Sequence, residues 1–325
     1  MNKTVFSGIQ PSGEIHIGNY LGAIQNWITL LDSYECFFCI VDYHAITVKY
    51  DVKDFQDRVW NAIIDNIACG IDPEKSRLFI QSHVPEHTEL AWILNSIAPM
   101  GDLERMTQYK DKSKQHKENI NAGLFTYPVL QTADIILYKA THVPVGEDQV
   151  QHIEFARRIV KSFNHRFGKI FPEPKELLSH APRILGLDGK AKMSKSMGNY
   201  IAIGETREVL QKKVMSAVTD EKRIRRNDPG DPSICNVFSL HQFFTPSEKR
   251  DEIETECKRA GIGCVDCKKL LINGIWATLE PIQEKRTTLL KDQNRLREII
   301  YENGRQCKQI AENTMGQVKE QMGIR

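Results

Sequence analysis

The residues best suited to chemistry lie in segment 8–20, which reads GIQPSGEIHIGNY. Its three glycines permit tight turns and let a ligand lie directly against the main chain. His16 and Asn19 are three residues apart, so they share one face of a helix predicted to begin there. An apolar run at 4–6 comes just before. The order of strand, glycine turn and helix start predicts an anion site, although a plain turn with a surface histidine is the alternative.

A second candidate segment, 192–196, reads KMSKS and lies in the glycine- and lysine-rich stretch GLDGKAKMSKSMGN. Lys192 and Lys195 carry compact charges on flexible side chains. On a loop flanked by glycines, such side chains can move onto a charged leaving group. Taken alone, the segment could equally be a solvent-exposed lysine pair.

Together the two segments resemble the HIGH and KMSKS signatures of the class I aminoacyl-tRNA synthetases. The first is written His16-Ile17-Gly18-Asn19 here, with asparagine in place of the final histidine. With PSG before it and Tyr20 after it, this variant is similar to the bacterial tryptophanyl branch of that family, over nearly all of the 325 residues. The resemblance implies an enzyme that uses ATP and Mg²⁺ to charge tRNA(Trp) with L-tryptophan.

Amino-acid activation is attack of a carboxylate on the α-phosphate of ATP, so the protein must position two anions and neutralise developing charge. The predicted catalytic residues are His16, Asn19, Lys192 and Lys195. The predicted ATP-binding residues are Gln10, Pro11, Ser12, Gly18, Asn19, Lys112, Gly146, Glu147, Asp148, Ile184, Lys192, Met193, Ser194, Lys195 and Ser196. The two acidic residues suit ribose hydroxyls or Mg²⁺, but they could also simply begin the next helix. The lysine-rich run around Lys112 could be a solvated helix or loop.

The amino-acid pocket is predicted around Gln131 and Asp134, which lie three apart in an apolar helical segment. An acceptor carboxylate suits the indole N–H, which only donates, but this spacing alone does not separate tryptophan from tyrosine. The resemblance favours tryptophan. The predicted tryptophan-binding residues are Phe6, Gly8, Tyr127, Gln131, Asp134, Val143, Val145 and Gln149.

Four cysteines form a candidate metal site in the second half of the chain: Cys235, Cys257, Cys264 and Cys267. Four thiolates with a terminal C-x-x-C suit a [4Fe–4S] cluster or Zn²⁺, and free thiols are the third possibility. Some synthetases of this type carry a [4Fe–4S] cluster on nearly this pattern, with a first gap about one residue longer. Cys36 and Cys39 also form C-x-x-C, but in a strand-like run, where residues three apart point to opposite faces. We expect buried free thiols there.

The elements that must position these residues read as an α/β fold. Apolar runs at 4–7, 36–42 and 78–81 alternate with helical patterns at 20–31 and 55–69, as in a Rossmann-like parallel sheet. Residues 86–120 and 124–140 are predicted to be mostly helical, and 141–160 a loop followed by a helix. Segments 205–226, 246–260 and 275–322 predict a helical second region.

We therefore expect a catalytic domain over 1–200, with a small helical insertion at about 86–120 and the KMSKS loop. An α-helical anticodon-binding domain with the four-cysteine site is expected over 201–325. The resemblance also implies a homodimer.

Charge and composition limit the alternatives. The net charge is only +2, so a tRNA partner requires a local basic patch. Such patches could come from Lys222-Arg223, Arg225-Arg226, Lys268-Lys269 and the pair Arg295 and Arg297. No apolar run approaches the roughly 18 residues of a membrane span, the first residues already read as a strand, and the cysteines are unevenly spaced. We expect a cytoplasmic protein. The alternatives are a tyrosyl enzyme, a non-catalytic RNA-binding paralogue, and a more distant nucleotidyl transferase.

Overall fold

The computed structural model describes residues 3–11, 13–115, 120–178, 184–195 and 197–324, with the side chains of 112, 114 and 115 left aside. In these ranges the strands are β1 (Thr4–Ile9), β2 (Glu35–Ile40), β3 (Arg77–Ile80), β4 (His142–Val145) and β5 (Lys175–Leu178). The first nine α-helices are α1 (Ile17–Asn19), α2 (Gln25–Leu30), α3 (Asp42–Ala45), α4 (Val52–Ala68), α5 (Glu86–Asn95), α6 (Met100–Arg105), α7 (Thr107–Gln115), α8 (Ala122–Leu137) and α9 (Val150–Phe167). The later ones are α10 (Arg207–Ser216), α11 (Asn236–Phe244), α12 (Ser247–Lys258), α13 (Cys264–Lys291) and α14 (Gln293–Met322). A π-helical turn at Tyr20–Ile24 joins α1 to α2, and 3₁₀ turns lie at Gln81–His83 and Glu147–Gln149.

The five described strands form one parallel sheet in the order β3-β2-β1-β4-β5. Phe6 is opposite Phe37 in the register of β1 and β2, and Phe38 is opposite Leu78 in that of β2 and β3. These side chains are buried, as expected for a parallel sheet covered on both faces. The predicted α/β class with a parallel sheet is confirmed.

The sheet contains two strands that the sequence did not indicate. Residues 142–145 were expected in a loop, and their Pro144 lacks the N–H that a strand interior normally donates. In the structure, β4 pairs with β1 only at His142, opposite Val5, and its longer register is with β5. The backbone pairing with β1 therefore ends before the proline is reached.

Two helical expectations need correction, and one further helix was not predicted. The helix predicted over 205–226 ends at Ser216, and the chain then runs through turns that include Pro229 and Pro232, which cannot donate to a helix ladder. The short helix α11 was not predicted, although four of its apolar side chains are buried. The long segment 275–322 is two helices, α13 and α14.

Contacts within the chain define two compact units. Unit 1 comprises Met1–Gly13, Gln25–His180 and Leu289–Arg325, and it contains the sheet. Its helix α14 is tied to the edge strand because Asn303 Nδ2 donates to the carbonyl oxygens of Pro73 at 3.1 Å and Leu78 at 3.3 Å. The C-terminal helix is thus part of the same unit as β1.

Unit 2 comprises Glu14–Ile24 and Ala181–Thr288. The buried Lys268 of α13 links its helices, since its ammonium donates to the carbonyls of Met215 and Ala217, each at 2.7 Å. The expected boundary between a catalytic domain over 1–200 and an anticodon-binding domain over 201–325 divides the chain by function. It stays a prediction. Within the described ranges, no helix combines the length and the apolar character that a membrane crossing needs.

Candidate active site

Two predicted catalytic residues, His16 and Asn19, hold each other at the start of α1. The Nδ1 atom of His16 accepts from the backbone N–H of Asn19 at 3.3 Å, and the side-chain oxygen of Asn19 accepts from the backbone N–H of His16 at 3.2 Å. This reciprocal pair is a capping box. It fixes the imidazole orientation and leaves Nε2 as the nitrogen that can reach a ligand.

Within unit 2, the structure brings the HIGN and KMSKS segments together. A Cβ on Gly18 would lie 3.0 Å from the imidazole of His16 and 3.5 Å from Cβ of Met193. The HIGN segment and the residue before it also pair with the chain that follows KMSKS, because Ile17 N donates to Ile201 O at 3.0 Å and Ile203 N donates to Ile15 O at 2.9 Å. The predicted proximity of the two motifs is therefore found in the structure.

The charge state of His16 reflects this arrangement. Burial, and then the positive charges of Lys195 and Lys192, lower the pKa of His16 to about 4. The ring is neutral at pH 7. Since Nδ1 accepts from Asn19, the hydrogen of the neutral ring lies on Nε2, and His16 can donate it to an anion without titrating.

The KMSKS segment is held by a hairpin and by Asn199. Met193 N donates to the carbonyl of Ile184 at 3.0 Å, and Leu185 pairs with Lys192. The Asn199 side chain accepts from Ser194 N at 2.8 Å and donates to Asp188 at 2.9 Å. A side chain at Gly186 would collide with Asn199. Sequence reasoning missed Asn199, although it directly follows the motif.

The remaining predicted ATP-binding residues are distributed over both units. Ile184 is buried, Lys192 is exposed and Lys195 is half-buried, all in unit 2. Gln10 is exposed and Pro11 buried in unit 1. Ser12 and Ser196 lie outside the described residues, and Lys112 is described only by its backbone in α7.

The acidic loop predicted to bind ATP begins at Gly146, before the 3₁₀ turn Glu147–Gln149. Glu147 and Asp148 are exposed. Asp148 Oδ2 accepts from Gln149 at 2.9 Å and from Gln108 of α7 at 3.1 Å. These hydrogen bonds hold the carboxylate of Asp148 in place, while the carboxylate of Glu147 is accessible to solvent.

Asp134 of α8 is the centre of a buried polar network in unit 1. It is 1 % exposed. Its Oδ1 accepts from His87 Nδ1 at 2.6 Å and from Gln81 Nε2 at 2.8 Å, and its Oδ2 lies 2.8 Å from His44 Nε2. Burial favours a raised pKa for Asp134, but the hydrogen bonds from His44 and His87 outweigh burial and lower it to about 2. The carboxylate is therefore ionised and accepts hydrogen bonds only.

The partners of Asp134 were not predicted, and they come from distant parts of the chain. His44 follows β2, Gln81 follows β3, and His87 lies in the first turn of α5. The sequence feature that could have indicated them is their position after predicted strands, because ligands of parallel sheets bind beyond the carboxyl ends of the strands. Polar residues directly after β2 and β3 were thus candidates.

The other predicted tryptophan-binding residues also belong to unit 1. Phe6, Val143 and Val145 lie in the hydrophobic core cluster that includes the apolar face of α8. The hydroxyl of Tyr127 is 2.8 Å from His152 Nε2. Gly8 lies against Val41, where a Cβ would be 3.1 Å from the valine side chain. Gln131 and Gln149 are half-buried.

The four candidate metal ligands line one pocket in unit 2, together with Arg223. The guanidinium of Arg223 lies 3.8 Å from the sulfur of Cys257 and 3.9 Å from that of Cys264. Burial, and then the neighbouring cysteines, raise the pKa of Cys267 to about 12. In the part of the chain that is described, no group of three or more His, Cys, Asp or Glu side chains is arranged to hold a metal ion.

The predicted basic patches differ in accessibility. Lys222, Arg225 and Arg226 are exposed and can meet a polyanion. Arg223 turns to the cysteine pocket, and Lys268 is buried on backbone carbonyls. The side chains of Arg223 and Lys268 therefore bind groups of the protein itself rather than a polyanion.

Comparisons with known proteins agree with this geometry. Residues 2–280 match the family described as "tRNA synthetases class I (W and Y)". The chain is 47 % identical to the tryptophan–tRNA ligase of Deinococcus radiodurans, with 98 % of each chain covered. It is 44 % identical to that of Wolinella succinogenes, covering 100 % of this chain and 99 % of that one. The crystal structure of tryptophanyl-tRNA synthetase from Campylobacter jejuni complexed with ADP and tryptophan has a TM-score of 0.91 at 37 % identity, covering 99 % of this chain and 100 % of that one. The chain belongs to the tryptophan–tRNA ligases, a branch of the class I tRNA synthetases.

Proposed function

We propose that this chain activates L-tryptophan with ATP, releasing pyrophosphate, and transfers tryptophan from the adenylate to the 3′ end of tRNA(Trp). The observation that carries the proposal is the contact of the His16–Asn19 capping box with the KMSKS segment across Gly18 in unit 2. A donor imidazole and two ammonium groups near each other suit a polyphosphate. Family membership agrees with this reaction.

In this proposal His16 donates its Nε2 hydrogen to a phosphate oxygen, and Asn19 keeps the ring in place. Lys192 and Lys195 follow the negative charge as it moves to the departing pyrophosphate. Because the side chains only position and neutralise, the enzyme needs no covalent intermediate. Glu147 and Asp148 would accept from ribose hydroxyls or bind Mg²⁺.

Tryptophan selection is proposed to depend on Asp134. Each carboxylate oxygen can accept about two hydrogen bonds. Oδ1 already has two protein partners, His87 and Gln81, whereas Oδ2 bonds only to His44 within the described part of the chain. One acceptor position on Oδ2 therefore remains for an indole N–H. Phenylalanine would leave it unmet in a buried site, a mismatch of the kind that costs roughly 10⁴-fold in specificity.

The cysteine pocket is proposed to bind a [4Fe–4S] cluster. Zinc needs four sulfurs at about 2.3 Å from one point. A four-iron cluster binds each thiolate on a different iron, so its ligands are spaced more widely. Cys235, Cys257, Cys264 and Cys267 line one pocket, and the resemblance to synthetases that carry a cluster on nearly this cysteine pattern favours the cluster over zinc. The cationic Arg223 would offset the negative charge of the thiolates.

The partners follow from the same activity. The exposed Lys222, Arg225 and Arg226 would contact tRNA phosphates, in a manner that weakens with salt. A homodimer is proposed because unit 1 exposes large apolar side chains, among them Trp92 at 79 % and Met100 at 62 %. Charged tRNA is consumed in translation, so the proposed location is the cytoplasm.

The decisive experiment is pyrophosphate exchange with each of the twenty amino acids. We expect exchange to depend on L-tryptophan. Exchange with tyrosine instead would assign the tyrosyl activity, and no exchange with any amino acid would indicate a non-catalytic paralogue. Aminoacylation of tRNA(Trp) transcript then tests the second step.

A further inference from the structure

We propose that Tyr138 and His87 are positioning residues that make the pocket selective for an N–H donor. Tyr138 holds His87, and His87 occupies Oδ1 of Asp134, so that Oδ2 is left to the ligand. This inference rests on the proposed role of Asp134 as the acceptor for the indole. It adds two residues that do not themselves touch the amino acid in this scheme.

The three side chains form a linear chain of hydrogen bonds in unit 1. The Tyr138 hydroxyl lies 2.7 Å from His87 Nε2, and His87 Nδ1 lies 2.6 Å from Asp134 Oδ1. An ionised carboxylate can only accept, so the hydrogen on His87 must be on Nδ1. In the neutral ring Nε2 is then an acceptor, and the Tyr138 hydroxyl donates to it. Tyr138 thereby selects the tautomer that bonds to Asp134.

Burial and ring packing keep this chain in one arrangement. His87 is 0 % exposed and Tyr138 is 4 % exposed. The Tyr138 ring stacks on Phe37, with centroids 4.7 Å apart, and the His87 ring stacks on Phe79 at 5.9 Å. Burial raises the pKa of Tyr138 well above its usual value, so the hydroxyl keeps its hydrogen. Reorientation of either ring would require movement of the core around it.

This arrangement leaves Oδ2 as the atom of Asp134 that can accept a hydrogen bond from a ligand. Gln81 supplies the second bond to Oδ1, and with His87 it fills both acceptor positions of that oxygen. If His87 lost its bond, the carboxylate could rotate, and either oxygen could be satisfied without the ligand. The requirement for an N–H donor would then weaken, even though the pocket kept its apolar walls.

The test compares L-tryptophan with β-(3-benzothienyl)-L-alanine, in which sulfur replaces the indole N–H. Pyrophosphate exchange gives kcat and KM for both substrates in the wild type, Tyr138→Phe, His87→Asn and Asp134→Asn. Tyr138→Phe keeps the ring and removes only the hydroxyl. We expect it to lower the ratio of the two kcat/KM values about tenfold, through a higher KM for tryptophan with the ATP KM unchanged.

The control is Tyr34→Phe, at a half-buried tyrosine whose ring meets His142 and not Asp134. Its ratio should equal that of the wild type. The ratio is informative because a general weakening of the fold would reduce activity with both substrates equally.

The outcomes are distinguishable. If Asp134→Asn leaves the ratio unchanged, the proposed role of Asp134 is wrong, and this inference fails with it. If Asp134→Asn lowers the ratio while Tyr138→Phe and His87→Asn do not, only the positioning role is overturned. Equal losses with both substrates in the latter two variants, together with a lower Tm, would also overturn it. A lower ratio in all three variants supports it.

Discussion

Gly18 lies so close to His16 that a Cβ at position 18 would be 3.0 Å from both Nδ1 and Cε1 of the imidazole. This separation is tighter than ordinary contacts between side chains. The same Cβ would be 3.5 Å from Met193. The missing side chain is therefore what allows the imidazole to lie beside the KMSKS segment.

The first prediction concerns Gly18→Ala. The added methyl displaces the imidazole from its bond with the backbone of Asn19, so the donor is misplaced relative to the phosphates. We expect kcat for tryptophan-dependent pyrophosphate exchange to fall about 10²-fold, the effect typical of a displaced catalytic group. The matched control is Gly22→Ala, where a Cβ meets nothing within 4 Å. A Gly18→Ala variant within twofold of wild type would contradict the assignment.

The second prediction concerns the pKa of His16. Burial and the charges of Lys195 and Lys192 lower it to about 4, so its NMR signals should show no titration between pH 6 and 8. Removal of one positive charge in Lys195→Ala favours the protonated ring, and the pKa should rise towards the ordinary value. A resonance that titrates near pH 6.5 in the wild type would show that the ring is solvated.

The third prediction tests the transition-state role of Lys195. Its charge is proposed to act chiefly on the departing pyrophosphate, so Lys195→Ala should lower kcat about 10²–10³-fold with little change in the tryptophan KM. Lys190→Ala is the matched control, because Lys190 is exposed on the same hairpin outside the motif. If Lys195→Ala activated tryptophan at a rate within about tenfold of the wild-type rate, the proposed role of Lys195 would be wrong.

The fourth prediction concerns Asp134→Ala. The variant loses the indole acceptor and leaves His44, His87 and Gln81 without their common partner. We expect a sharply higher tryptophan KM, an ATP KM that hardly changes, and a free energy of unfolding lower by about 3 kcal/mol. Steady-state kinetics and urea denaturation measure these quantities. Equal changes in both KM values would count against a tryptophan-specific role.

The fifth prediction concerns the cysteine pocket. Protein prepared without oxygen should be brown, absorb near 400 nm and contain about four irons per chain. Cys264→Ala should lose the iron, whereas Cys36→Ala, in the buried C-x-x-C of β2, should retain it. A colourless anaerobic preparation with one zinc per chain would refute the cluster.

The sequence predicted features that are local and missed those that are assembled over long distances. β1, β2 and β3 were recognisable as apolar runs, and His16 with Asn19 as a helix start. β4 was hidden because Pro144 opposes strand formation in isolation. Its position depends on pairing with β5, which no local pattern contains.

The network around Asp134 was inaccessible for the same reason. His44, Gln81 and His87 lie 90, 53 and 47 residues before Asp134. None carries a local signature, and only the parallel sheet places the ends of β2 and β3 beside α8. The sequence thus indicated the acceptor carboxylate without the groups that keep it ionised.

The attachment of α14 to the edge strand through Asn303 has a consequence for biosynthesis. Unit 1 contains both β1 and residues 289–325, so a strand that is synthesised early and a helix that is synthesised late belong to one compact unit. On the ribosome, α14 is synthesised after residues 181–288 of unit 2. Until then β3 lacks its contact with α14, and unit 2 can fold first. Chains interrupted before Gln293 would expose that edge, and we expect chaperones to engage nascent chains of this length.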